Sequence, residues 1–274
     1  MMETALGEKG SEPYSTHLNR IETSGSVLLS KEAFEKLYLN PKVPSHGQGR
    51  MKFGNPTPVS LIGFLICATS SSIIMMGWGG AGGGGGAILS AYIFFGGILQ
   101  ILGAIGEFII GNTFSCAVFF TYGAFWLVEG TSLIPSFGVG VNYSSTGNNM
   151  EGITTSGYHA CIGIYYIALA VLSFLFLVCS IRTNVCLLSA IVLIVVTFTL
   201  SACSNFQIAF GNDHLGDRLQ VVAGAVKFIL CMPVWYILIA QMLESVDHPW
   251  SIPVGDLSTV VLGKSQRISH SDVI

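Results

Sequence analysis

The sequence predicts an all-α integral membrane protein that crosses the bilayer six times. Three observations carry that prediction. Only 10% of the 274 residues are charged, against roughly 25% in soluble domains. The chain is 51% apolar with a mean hydropathy of +0.66, so it cannot cover a water-facing surface. Its apolar residues fall into six runs, each near the ~20 residues that a spanning helix needs. The runs are continuously apolar. A spanning barrel would instead alternate over strands of about ten residues, and in lipid the helix satisfies every backbone group within itself.

Taken in order, residues 1–52 read as a polar cytoplasmic tail with Pro41 and Pro44, disordered except for one short helix at 31–39. A membrane domain over 53–245 follows, then a cytoplasmic tail over 246–274. The spans are expected at 58–78, 87–110, 113–134, 158–181, 185–206 and 221–243. No apolar run precedes the first span, which is therefore expected to target the chain itself. The first connector, 79–86, is nearly all glycine and too permissive to hold a fixed shape without help. It lacks the strand before it and the Gly-Lys-Ser/Thr after it that a phosphate loop needs. Residues 135–157 and 207–220 read as polar loops.

Orientation follows from the cations. Lys9, Arg20, Lys31, Lys36, Lys42, Arg50 and Lys52 precede the first span, Arg182 lies between the fourth and fifth, and Lys264 and Arg267 follow the last. With six spans all of these share one side, opposed only by Arg218, which places both termini in the cytoplasm. Asn142-Tyr143-Ser144 is a glycosylation sequon in the long loop that this topology puts outside.

No enzyme constellation appears, no metal-ligand spacing among the six histidines, no cofactor fingerprint and no basic patch for nucleic acid. The seven cysteines lie in apolar segments and read as small packing side chains. The informative residues are the polar ones inside spans, because ionisable groups there are costly and face a partner or a path. Glu107 reads as an interfacial or interhelical carboxylate, and Glu129 as one that snorkels outward. Lys227 lies about 10 Å into the last span by helical rise; it either snorkels or faces a path where it attracts anions. Gly96, Gly97, Gly103, Ala104 and Gly106 give the second span a small-residue packing surface. Gln100 among them bonds across helices or lines a path, and the hydroxyls of Ser70, Ser71 and Ser72 have the same two uses. At the start of the first span, Asn55 or Thr57 can cap free amides beside Pro56 and Pro58. Such a helix N-terminus suits a carboxylate.

Two stretches carry a family resemblance. Asn55-Pro56-Thr57-Pro58-Val59-Ser60-Leu61-Ile62-Gly63-Phe64 resembles the NPAPLGL-x-GF signature of the acetate uptake transporter family, whose members include bacterial acetate–succinate permeases and the fungal Ato proteins. Phe94 to Gln100, then Glu107, Gly111-Asn112-Thr113-Phe114 and Thr121 to Trp126 are similar to that family's second and third helices in order and spacing. The resemblance covers about 53–245, and the polar N-terminal tail is similar to the fungal branch. It implies a hexamer of six-helix protomers in a plasma membrane, each protomer with its own path for acetate and similar small monocarboxylates, with or without a proton. It also implies a narrow point formed by a Phe, a Tyr and a Leu. By motif position these match Phe64, Tyr122 and, from the fifth helix, Ile194 or Leu193 beside it. The signature departs at Thr57, Val59 and Ser60, where the family has Ala, Leu and Gly; Ser60 adds a side chain next to the proposed mouth. Ammonium export by the same fold, or a non-transporting membrane sensor, are the alternative functions.

Overall fold

The computed structural model describes residues 53–258, 260 and 261. The tail over 1–52, with the short helix expected at 31–39, lies outside the described residues. Among those described there is no strand, only a single bridge between Asn184 and Asp256.

The first helix, α1, is Thr57–Met75. It starts where Asn55 Oδ1 accepts the Thr57 N–H at 3.0 Å, with prolines in the first turn, where a missing N–H costs nothing. It stops at Gly77, whose φ of +72° is the left-handed conformation that glycine adopts freely. The glycine connector is ordered. It folds into two short 3-10 turns, Trp78–Gly80 and Gly83–Ile88. Gly79, Gly80, Gly83, Gly84 and Gly85 all have φ between +62° and +82°, so its glycines are what permits the shape.

The second rod, α2 (Gly83–Ile109), contains a π-helical stretch over Tyr92–Leu99. Such wide turns often mark functional sites. The remaining long helices are α3 (Thr113–Ser132), α4 (Ser156–Ser180), α5 (Val185–Ala209) and α6 (Asp213–Ser245). Five of these six, all but α3, are long and apolar enough to cross a membrane. The exception, α3, carries aromatics, hydroxyls and Glu129 in place of aliphatic residues.

α6 begins eight residues before the apolar span predicted at 221. The expected polar loop shrinks to a turn at Gly211 (φ +82°) and Asn212, and Asp213 to Arg218 form the first turns of the helix. Hydropathy marks the part of a helix that lipid touches. It is blind to the part that projects beyond, where Asp213 suits the positive helix end.

Neighbouring helices in sequence are neighbours in space, and α1 closes the ring by packing on α6 as well as on α2. α3 and α4 meet through side chains: Tyr122 Oη donates to Ser173 Oγ at 3.1 Å, and the Phe114 and Phe176 rings meet edge-on at 6.2 Å. The small residues of α2 bring backbones together, as lipid-embedded packing favours. A Cβ on Gly96 would lie 2.4 Å from Trp126 of α3, and one on Gly103 would strike Ser60 of α1. Ser60 is fully buried and donates to the Gln100 carbonyl at 2.9 Å. This serine therefore fills the α1–α2 contact.

The long loop is also built. Gly140 N donates to Asn149 Oδ1 at 2.6 Å, and Ser144 and Thr146 hydroxyls donate to Glu151 at 2.7 and 2.5 Å. Asn142 is exposed on its surface. After α6 the chain folds back on the α4–α5 turn. Val185 N donates to Gly255 O at 2.8 Å, Leu257 N to Thr183 O at 2.9 Å, and Arg182 Nε to Val261 O at 2.9 Å. The first part of the expected C-terminal tail is thus a strap.

Candidate functional site

The α1 N-terminus builds one polar cluster. Glu107, completely buried at the end of α2, accepts from the Thr57 hydroxyl of α1 and from Asn112 Nδ2 at 2.8 Å. It is interhelical, the second of the two places expected for it. The carboxylate resting beside the first turn of α1 is therefore the protein's own. Thr57 binds Glu107, and the Asn55 residue is exposed.

Two turns further along α1, Phe64 meets Tyr122 of α3 with ring centroids 6.3 Å apart. Tyr122 is only 4% exposed and also stands 6.3 Å from Phe176 of α4 and from Phe198 of α5. The Phe–Tyr pair expected from two distant motifs does come together. From α5, Ile194 is buried and Leu193 half-buried in the same apolar cluster, while the ring placed against Tyr122 is Phe198, one turn beyond Ile194. Sequence matching alone does not find Phe198.

Gln100 lies at this depth on α2. It is fully buried, and neither amide atom has a partner among the described residues. An unpaired buried amide costs about 1–3 kcal/mol.

Above the aromatic level the bundle encloses a cavity of about 260 Å³. Seven residues beyond Phe64 and Tyr122, about 10 Å by helical rise, Ser71 of α1 and Glu129 of α3 line it. Lys227 of α6 enters from the opposite side, fourteen residues and about 21 Å from the start of its helix. Its Nζ donates to Ser71 Oγ at 3.3 Å and stands 5.4 Å from the Trp126 ring centre, a cation–π arrangement. Of the two options for Lys227, the structure selects the inward one. Glu129 also faces inward and does not snorkel: Tyr166 of α4 donates to its Oε1 at 3.0 Å.

Phe125, Trp126 and Phe198 form an aromatic wall of the cavity. Gly82 and Gly84 of the glycine connector complete the lining. Phe64 is not among the residues that line this cavity. Two lining residues keep free hydrogen-bonding atoms among the described residues: Trp126 Nε1, a donor, and Gln220 Oε1, an acceptor. The site thus sets a lysine and a glutamate among aromatic rings and hydroxyls. Glu129, Trp126 and Tyr166 escaped the sequence reading as site residues. The signal for Tyr166 was a phenol within an otherwise apolar span.

Comparison with known proteins agrees with this architecture. A model of the GPR1/FUN34/yaaH family matches residues 37–259. The chain is 38% identical over 256 residues to Protein alcS of Aspergillus fumigatus, covering 93% of each. It is 28% identical over 210 residues to Ammonia transport outward protein 2 of Saccharomyces cerevisiae, covering 75% of this chain and 69% of that one. Among solved structures it is similar to the bacterial acetate channel SatP, with a TM-score of 0.58 and 24% identity over 74% of this chain and all of that one.

Proposed function

The chain belongs to the GPR1/FUN34/yaaH family, and on that premise we propose that it carries acetate and similar small monocarboxylates across a fungal plasma membrane, together with protons. The observation that carries the reading is Lys227: an ammonium held by Ser71 in a cavity that it shares with Glu129, hydroxyls and aromatic rings. Such a group attracts a carboxylate and repels a cation. The acetate channel fold of SatP supports the substrate class.

In this reading α3 is the sixth span, and both termini are cytoplasmic. Residues 1–52 and 246–274 are then cytoplasmic tails, and Asn142 is an external glycosylation acceptor. Six protomers assemble, each with its own path. A carboxylate enters past Asn55, passes the narrow point at Phe64, Tyr122 and the Leu193–Ile194 segment beside Gln100, and docks against Lys227. An apolar constriction passes a small acid, resists hydrated ions and gates by dewetting. Nothing covalent is done to the cargo, so the protein acts as a transporter and not as an enzyme.

Labelled acetate uptake in a host deleted for its own acetate transporters tests this. Uptake above the empty host between pH 5 and 7 is expected; its absence across that range overturns the reading. Ammonium export is the second reading, favoured by the relative named for ammonia transport and by Glu129 in the cavity. Labelled methylammonium efflux unaffected by excess acetate would establish it instead.

A further inference from the structure

The cavity holds two fixed charges on separate helices, Lys227 of α6 and Glu129 of α3. When both are ionised they sum to zero. A carboxylate that docks at Lys227 then leaves the cavity with one uncompensated negative charge inside the bundle. A charge placed there without compensation is strongly disfavoured. One proton restores neutrality, and among the described residues Glu129 is the only carboxyl group in the lining.

The surroundings of Glu129 can accommodate both states. Tyr166 donates to Oε1, which leaves Oε2 to carry a proton. Lys227 lies within electrostatic range, and so do Tyr92 of α2 and Tyr158 and Tyr165 of α4. From α1, Cys67 acts on Lys227, as does Cys231 within α6. The lining that α1 and α5 contribute has hydroxyls, Ser71, Thr197 and Ser201, and no further charge. Lys227 supplies the donor for an incoming anion.

We infer that Glu129 is the proton-bearing group of the transport cycle: it takes up one proton for each carboxylate anion that docks at Lys227, and releases it when the anion leaves. The proton comes from and returns to water, and no net charge crosses the membrane. This rests on the transport reading above.

The test uses the full chain reconstituted in liposomes, with acetate uptake through protein-free liposomes subtracted. A potassium gradient with valinomycin sets an inside-positive potential. Wild-type uptake is expected to stay within about twofold with and without the potential. Glu129→Gln keeps the cavity neutralised without a proton, so acetate crosses as the bare anion. A tenfold potassium gradient should then drive about tenfold accumulation, and the dependence on pH between 5 and 7 should flatten. Should Glu129→Gln show no net uptake, acetate exchange at equilibrium decides, because exchange needs no net proton movement. Retained exchange supports the inference.

Wild-type uptake that follows the potential overturns the inference, as does Glu129→Gln uptake that stays electroneutral and pH-dependent. Loss of both uptake and exchange in a variant that elutes like wild type also overturns it. Wild-type protein that moves no acetate at all defeats the transport reading as well, and is recognised before any variant is compared.

Discussion

Lys227→Met removes the one cation among the described residues that line the cavity and keeps an unbranched apolar side chain one atom shorter. A carboxylate about 4 Å from the ammonium gains about 4 kcal/mol at an effective dielectric constant of 20. The ammonium already has Ser71 Oγ at 3.3 Å and the Trp126 ring at 5.4 Å, and the guest must shed water to reach it. Taking half of the Coulomb value as the net loss gives about 2 kcal/mol, or roughly 30-fold. The assay is the initial rate of labelled acetate uptake, well below half-saturation, in a transporter-deleted host and normalised to protein in the membrane. Lys227→Arg should keep most of the rate, because it keeps the charge. Loss of the lysine also strands Glu129, so the paired Glu129→Gln/Lys227→Met variant separates folding from function: its abundance should recover while its uptake stays low. A Lys227→Met rate within twofold of wild type would refute the assignment of Lys227 as the anion's anchor.

Phe64→Ala opens the narrow point by removing a ring that sits 6.3 Å from Tyr122; uptake of a bulkier acid such as benzoate should rise severalfold relative to acetate in competition assays. Gly96→Ala puts a methyl 2.4 Å from the Trp126 ring atoms, an overpacking worth about 1–3 kcal/mol, and should lower the melting temperature of detergent-purified protein. In the 144–151 loop, the Thr146 and Ser144 hydroxyls beside Glu151 hold its carboxyl below the usual range. A lowered folded-state value means that its contribution is present above the unfolded value and is lost as pH falls through the folded one. Hydrogen-exchange protection of the Thr146 and Asn148 amides, corrected for intrinsic rates, should fall on acidification in wild type and be flat in Glu151→Gln.

The helices were legible because lipid imposes a one-dimensional rule. Every span needs a run of apolar residues, and the runs can be counted. The same rule explains the misses. α6 extends to Asp213 because a helix can project past the lipid without being apolar. The glycine connector holds a fixed shape because positive φ at five of its positions needs glycine and the fold around it supplies the constraint.

Phe64 and Tyr122 were legible as a pair only through their motifs, since nothing local in either helix says that the two rings will meet. Ser60 looked like a change at the mouth and proved to be a packing residue, because which side of α1 it occupies depends on where α2 lies. Glu107 and Glu129 look alike in sequence, each a lone acid near a helix end. Glu107 became a clamp for Thr57 and Asn112, and Glu129 became a wall of the cavity.

By itself the sequence determined the solvent of this protein, the number and order of its helices, and the small-residue face of α2. Those properties follow from hydropathy and side-chain size, which each residue carries wherever it sits. Only the tertiary structure decided that Lys227, Glu129, Trp126 and Tyr166 share one cavity. They come from three helices up to 101 positions apart in the chain, and whether a buried charge meets lipid, a partner or a guest is fixed by helix rotation and packing, which no single helix contains.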